Sequence, residues 1–465
     1  MRRLIYFLIS FFILSATAYA GEETLKFGRF GNVMIYRNSL KPSHVVLFVS
    51  GDGGWNLGVI DMAKSLSALD AIVVGIDITH YMKELRNTDE KCSYPAADFE
   101  LLSKFIQKHY DFPKYEPPVL VGYSSGATLV YAVLVQAPTG TFQGAISLGF
   151  CPDLPLDRPL CRGSGLEWKS GPKGKGYSFL PFHELKTPWI ALQGEIDMVC
   201  DAKATELFVK QVGEGKLISL PNVGHGFSVP KNWMPQFKEA FTGLFNKPKQ
   251  MVEKSESGDI SDLPVVEVMP SIPESGKRMA IMVSGDGGWA GIDRELAGAL
   301  AAKGIPVAGV DSLQYFWKPK NPEIAANDLE RIIKHYLNLW GKERIVIVGY
   351  SLGADVIPFM ITRLSSEVSE KIELIALLGP EHTADFEFHI TDWIGLSPQL
   401  NLHPLLPELK KIKNIKILCF YGDEEKDSLC RDIDIAIAKP MRLEGGHHFG
   451  GNYQFIADSI LNELK

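Results

Sequence analysis

The chain has 465 residues, 46% of them hydrophobic, enough to bury two cores of catalytic-domain size. Its formal net charge is −7 and no basic tract interrupts it, which argues against nucleic acid as a partner. The composition is neither that of a disordered chain nor that of a membrane protein with many spans.

The first stretch reads as an export signal. Arg2 and Arg3 precede an apolar run from Leu4 to Leu14, and Ala18-Tyr19-Ala20 supplies a small-residue cleavage site, so residues 1–20 are expected to be a signal peptide cut after Ala20. An uncleaved anchor is the competing interpretation, but the apolar run is short for a bilayer span and ends in small residues. No cysteine follows the cleavage site, so a lipid-modified anchor is not expected. In an oxidising compartment the six cysteines, Cys92, Cys151, Cys161, Cys200, Cys419 and Cys430, are expected to form disulfides. Cys419 must pair with Cys430 if each half of the chain pairs its own, whereas the other four leave the connectivity open. No C-x-x-C or H-x-x-x-H cluster occurs, so neither a metal nor another cofactor is expected.

Along the mature chain, the decisive feature is an internal repeat. Val45 to Trp55, ending in Ser-Gly-Asp-Gly-Gly-Trp, returns as Met279 to Trp289. Val73-Val-Gly-Ile-Asp77 returns as Val307-Ala-Gly-Val-Asp311, with Tyr81 and Tyr315 following at equal distance, and Lys108-His-Tyr110 returns as Lys334-His-Tyr336. Val119 to Ala127, containing Gly-Tyr-Ser-Ser-Gly, returns as Ile345 to Ala354, containing Gly-Tyr-Ser-Leu-Gly, with one extra strand residue. One fold used twice explains this shared order. An N-terminal domain over 21–246 and a C-terminal domain over 262–465 are expected, joined by a polar, acidic linker over 247–261.

Each copy alternates strand and helix patterns. In the C-terminal copy the expected strands are Ala280–Val283, Val307–Asp311, Arg344–Val348, Leu374–Leu378 and Ile415–Tyr421, with helices over Arg294–Lys303 and Ala325–Leu339. That order predicts βαβ units in a mostly parallel sheet, with ligands beyond the carboxyl ends of the strands. The fold class is therefore α/β, as two tandem α/β-hydrolase-like domains.

Arg344 to Val348 is mostly β-branched and apolar, as a strand buried on both faces requires, and the chain then turns abruptly at Gly349-Tyr350-Ser351-Leu352-Gly353. This G-x-S-x-G elbow lifts a serine hydroxyl above the sheet edge at a helix N-terminus. Ser351 is the expected nucleophile, and Ser124 its counterpart. A serine needs a base oriented by an acid, in the order Ser, acid, His for this elbow. The N-terminal copy offers Asp197 at the end of a strand and His225 in a glycine-rich loop. The C-terminal copy offers Asp423 or Asp427, then His447 or His448. The shared D-x-x-C spacing, Asp197 to Cys200 and Asp427 to Cys430, selects Asp427, and matching Gly-His-Gly-Phe to Gly-His-His-Phe selects His447.

Ser-Gly-Asp-Gly-Gly-Trp follows the first long strand of each copy, where this architecture places a loop donating one oxyanion N–H, the other coming from the residue after the nucleophile. The expected donors are Leu352 with Asp286 or Gly287, and Ser125 with Asp52 or Gly53. A carboxylate pointing into an oxyanion hole is harmful, so Asp286 must turn aside, toward a cationic group on the substrate. Asp311 and Asp355 are candidates for the same acidic substrate-binding site, although such residues are more often structural hydrogen-bond acceptors.

With Val-Ser-Gly-Asp-Gly-Gly-Trp289, Gly-Tyr-Ser-Leu-Gly-Ala-Asp355 and Gly-His-His-Phe449, the C-terminal half resembles the bacterial VirJ virulence-protein family. The whole chain is similar to its longer AcvB-type members. That resemblance implies a periplasmic α/β-hydrolase that removes the aminoacyl ester from aminoacylated phosphatidylglycerol, such as lysyl- or alanyl-phosphatidylglycerol, at the membrane surface. It places the family nucleophile on Ser351. The N-terminal half departs from the pattern, with Ser125 after its nucleophile and Thr128 where Asp355 falls, and can be a binding or a cleaving unit. Two other classes compete. One is a different serine esterase, a lipase or peptidase, although Phe386 to Leu406 is mixed rather than strongly apolar as a lid would be. The other is a non-catalytic exported partner of a secretion machine, which would not react with a fluorophosphonate.

Overall fold

The computed structural model describes residues 23–87, 90–246, 260–270, 276–388 and 402–464. The expected signal peptide at 1–20 lies outside them, as do 247–259 of the expected linker and 389–401 of the Phe386–Leu406 segment. Among the described residues no helix is long and apolar enough to cross a membrane.

Two sheets form, one per copy of the repeat. The first has eight strands in the spatial order Glu23–Phe27, Gly31–Tyr36, Ala71–Ile76, His44–Val49, Val119–Tyr123, Gly144–Leu148, Trp189–Gly194 and Gly215–Leu220. The second has seven, in the order Val265–Val268, Val307–Val310, Arg278–Val283, Arg344–Tyr350, Ile372–Leu378, Lys416–Gly422 and Lys439–Leu443. Pairing is parallel throughout except at one edge, where Glu23–Phe27 and Gly31–Tyr36 in the first sheet and Val265–Val268 in the second run antiparallel. The crossover that puts the first parallel strand between the second and third is the α/β-hydrolase order, and both halves have it.

Burial on both faces explains why these strands are continuous apolar runs. In Arg344–Tyr350, Ile345 and Ile347 enter one core cluster, while Val346, Val348 and Tyr350 enter the cluster on the opposite face. Leu120 and Val121 divide the same way in the first sheet. The expected helix over Ala325–Leu339 starts earlier, at Pro322, because Asn321 caps it by accepting from Ile324 N–H at 2.8 Å and proline is tolerated in the first turn. The expected strand over Val307–Asp311 ends at Val310, and Asp311 instead caps the short helix Ser312–Tyr315.

Three disulfides join Cys92 to Cys161, Cys151 to Cys200, and Cys419 to Cys430, each within one half. Such bonds persist in oxidising compartments and suggest an exported protein.

The halves meet through Trp317, which is buried with Tyr115, Leu313 and Phe388. Its indole N–H donates to Phe112 O at 2.8 Å, and its own carbonyl accepts from Lys108 Nζ at 2.7 Å. Truncating a buried tryptophan typically costs about 3–5 kcal/mol. Trp317→Ala is therefore expected to lower the melting temperature and to separate the unfolding of the two halves in calorimetry. An unchanged melting profile would show that this contact contributes nothing to their coupling.

Candidate active sites

Both elbows form. Ser124 has φ 56° and ψ −122°, and Ser351 has φ 52° and ψ −121°, the same strained conformation at two places in one chain. A non-glycine residue held there costs on the order of 1–3 kcal/mol, so the surrounding turn must enforce it. The flanking glycines show how. A Cβ at Gly122 would run into the Gly126 carbonyl, and one at Gly353 into the Val283 carbonyl. Strand and helix approach too closely at the elbow for any side chain there.

In the N-terminal half the three expected residues meet. Ser124 Oγ lies 2.9 Å from His225 Nε2, and His225 Nδ1 lies 2.9 Å from Asp197 Oδ2. The Asp197 side chain has no solvent exposure and accepts further bonds from the N–H groups of Val199 and Cys200 at 2.8 and 2.9 Å and from Gln193 Nε2 at 3.1 Å. Those donors fix the Asp197 carboxyl group in position beside the imidazole, the arrangement by which a triad acid orients its base.

In the C-terminal half the imidazole is that of His447, but its acid differs from the expected one. His447 Nδ1 lies 2.5 Å from Glu425 Oε1, while Asp427 is exposed and Asp423 is engaged by Arg442 at 3.1 Å and by Gly445 N–H at 2.9 Å. The D-x-x-C spacing misleads because the two cysteines do different work: Cys200 bonds Cys151, whereas Cys430 bonds Cys419 inside its own strand-turn. The strand-end glycines give the true register. Asp197 stands three residues after Gly194, and Glu425 three after Gly422. Glu425 Oε2 also accepts from Gly422 N–H at 2.5 Å, which anchors the carboxylate to that turn. The His448 side chain makes no hydrogen bond among the described residues, and burial, together with neighbouring His447, holds its pKa down. No hydrogen bond joins Ser351 Oγ to His447 in this structure, so the N-terminal triad is connected throughout and the C-terminal one only between base and acid.

The Ser-Gly-Asp-Gly-Gly-Trp loop lies against each nucleophile. An ideal Cβ on Gly51 would sit 3.0 Å from Ser124 Cβ, and one on Gly285 3.4 Å from Ser351 Cβ. Among the described residues, the N–H groups of Ser125, Leu352, Gly53 and Gly287 meet no protein acceptor. The recurring tryptophan is structural: Trp55 and Trp289 fill the space above Gly75 and Gly309, where any side chain would collide with the indole. In the N-terminal half Ser125 Oγ donates to Asp52 Oδ1 at 2.6 Å, which holds that carboxylate on the hydroxyl. Leu352, at the matching position in the C-terminal half, carries no hydroxyl.

The three candidate substrate-binding aspartates separate. Asp311 is half-buried and accepts from Gln314 N–H at 3.1 Å and from Trp289 N–H, so it caps a helix and braces the loop, as Asp77 does in the first half. Asp355 is buried and accepts from Glu381 N–H at 2.7 Å, and burial beside the Glu381 and Asp286 carboxylates pushes its pKa well up. A protonated buried acid is a poor receptor for a cation. Asp286 is half-buried on the loop that packs against Ser351. Asp293, which the sequence did not single out, is buried beneath the same loop with one carboxylate oxygen lacking a hydrogen bond, and burial raises its pKa strongly. Its counterpart Val59 is apolar, and that difference was the available signal.

Asp197, Cys200 and His225 lie within metal-ligating distance of one another, but the disulfide occupies Cys200, leaving no thiolate to bind an ion.

Solved structures similar to this one include the esterase domain of a Rhodothermus marinus protein, at 15% identity and TM-score 0.33, covering 48% of this chain and 96% of that one. Est1E from Butyrivibrio proteoclasticus matches at 13% identity and TM-score 0.33, covering 49% of this chain and 100% of its own. A dienelactone hydrolase from Anabaena variabilis matches at 16% identity and TM-score 0.34, covering 47% of this chain and 94% of its own. No curated protein matches the chain. The model of the bacterial virulence protein (VirJ) family matches residues 43–147 and 277–465, together more than half of the sequence, and the chain belongs to that family.

Proposed function

We propose that the protein is a periplasmic serine hydrolase whose C-terminal half removes the aminoacyl group from aminoacylated phosphatidylglycerol, releasing the free amino acid and phosphatidylglycerol. The observation that carries this is the pairing of an elbow serine, Ser351, with a half-buried carboxylate, Asp286, on the adjacent oxyanion loop. Ester hydrolysis needs the first, and an ester bearing an α-ammonium group uses the second.

In this mechanism Ser351 Oγ attacks the ester carbonyl while His447 takes its proton, and Glu425 stabilises the resulting imidazolium. The Leu352 N–H, with that of Asp286 or Gly287, holds the oxyanion. As the bond from the carbonyl carbon to the glycerol oxygen breaks, His447 gives its proton to that oxygen and phosphatidylglycerol leaves; water, deprotonated by His447, then cleaves the aminoacyl–serine ester, and the proton returns to Ser351 Oγ. Charge favours this substrate over plain phosphatidylglycerol. A chain of net charge −7 is repelled by an anionic lipid surface, and the aminoacyl headgroup offsets the phosphate with ammonium.

The test is to incubate the purified protein with lysyl- or alanyl-phosphatidylglycerol and identify the product. Free amino acid supports the proposal, free fatty acid indicates a lipase, and no product from either ester leaves a non-catalytic partner. A charge-assisted hydrogen bond to the α-ammonium contributes about 1.5–3 kcal/mol. Asp286→Asn is therefore expected to lower kcat/KM for aminoacyl esters roughly ten- to a hundred-fold more than it lowers hydrolysis of p-nitrophenyl acetate. Equal loss on both would assign Asp286 to the loop instead.

A further inference from the structure

We infer that the N-terminal half is a second esterase centre, distinct from the one proposed at Ser351, and that it takes apolar acyl esters presented in a lipid surface. Its triad is the fully connected one, with 2.9 Å between Ser124 and His225 and 2.9 Å between His225 and Asp197. Beside it lies a cavity of about 210 Å³ in which Ile78, Met82, Leu154 and Pro155 form the apolar part of the lining, together with Thr79, the cationic Lys83 and Arg86, and Asp52 and Ser125 from the two loops at the nucleophile. At about 30 Å³ per water, that space suits a short length of acyl chain.

The rim of this site points to where the ester comes from. The loop carrying Asp197 exposes Ile196, Met198 and Val199, at 59%, 95% and 67%, and Leu57 beside the oxyanion loop is 82% exposed. Three exposed apolar side chains within four residues of the acid-bearing loop, and a fourth on the loop after the first parallel strand, mark an interaction site when they form a contiguous patch. The second copy of the fold supplies the control. Counting from the strand-end glycines Gly194 and Gly422, Ile196, Met198 and Val199 correspond to Glu424, Lys426 and Asp427, all exposed, and Leu57 corresponds to Gly291. One fold therefore carries a charged rim at one site and an apolar rim at the other. Esterase chemistry at the centre of the apolar rim favours a lipid surface over a protein as its occupant.

In the reaction Ser124 Oγ bonds to the ester carbonyl carbon as His225 Nε2 takes its proton. The bond from that carbon to the alcohol oxygen then breaks as His225 returns the proton to it. Water, deprotonated by His225, next cleaves the acyl–Ser124 ester, giving a carboxylic acid and free serine.

The test uses the full chain. Wild-type protein treated with a fluorophosphonate is expected to gain two probe equivalents by intact mass, one on the Ser124 peptide, and Ser351→Ala is expected to gain one. That variant should still hydrolyse p-nitrophenyl butyrate, and adding Ser124→Ala should abolish the turnover. In the Ser351→Ala background, Met198→Glu with Val199→Glu is expected to lower the ratio of hydrolysis of p-nitrophenyl palmitate in phosphatidylcholine vesicles to that of p-nitrophenyl butyrate in solution by roughly tenfold or more. No adduct on Ser124 in wild-type protein, or an inert Ser351→Ala with an unchanged melting temperature, overturns the second centre. An unchanged ratio, with or without a rim-dependent dimer on sizing, overturns the lipid surface. Loss of amino-acid release in Ser351→Ala alone bears only on the C-terminal site, so the two proposals fail separately.

Discussion

Ser351→Ala is expected to reduce amino-acid release from aminoacyl-phosphatidylglycerol by roughly four to six orders of magnitude, because loss of a triad nucleophile leaves only binding and the oxyanion hole. The fold should barely notice. Ser351 sits at φ 52° with its side chain in no hydrogen bond among the described residues, so alanine inherits the same backbone strain and removes one hydroxyl. The measurement is single-substrate kinetics with product identification, paired with a melting curve. Retention of the wild-type rate in a folded variant would move aminoacyl hydrolysis to Ser124 and remove the C-terminal site from the mechanism.

What the sequence disclosed here was whatever is local and repeated. The elbows were legible because each glycine answers to a contact within the turn or with the adjacent strand: Gly122 with Gly126, Gly349 with Gly353, Gly353 with Val283. Asp197 and His225 were legible because a strand end and a glycine-rich loop place them at the same sheet edge. Glu425 was missed because the register was anchored on cysteine spacing, and a disulfide reports only which sulfurs meet in space. Gly194 and Gly422 were the better anchors, since both pack against the histidine-bearing loop, at Val223 and at Gly445 and Gly446. Asp311 looked functional because it recurs, but it recurs as a helix cap and loop brace. Trp317 was invisible as an interface residue, because its partner Phe112 lies in the other half of the chain and no local pattern encodes that contact.

The acid of the C-terminal triad gives the sharpest remaining prediction. Glu425→Gln is expected to lower kcat about a thousand- to ten-thousand-fold, as neutralising the buried acid of a serine triad does by leaving the imidazole in the wrong tautomer. The substitution preserves the side-chain shape and the bond that Oε2 accepts from Gly422 N–H, so stability should change little. Asp427→Asn, on an exposed residue two positions along the same loop, is expected to stay within about twofold of wild type. Combining Glu425→Gln with Ser351→Ala should add almost nothing to the serine defect, since triad members act as a unit. The reverse ranking, with Asp427→Asn the more damaging change, would mean that this loop rearranges when substrate binds and that Asp427 replaces Glu425 at His447 Nδ1. Because Ser351 and His447 are not hydrogen-bonded here, the same two variants also show whether the base is oriented by Glu425 before substrate arrives. Orientation by Glu425 predicts that fluorophosphonate labelling of Ser351, which requires an activated hydroxyl but no aminoacyl group, falls in Glu425→Gln in parallel with kcat.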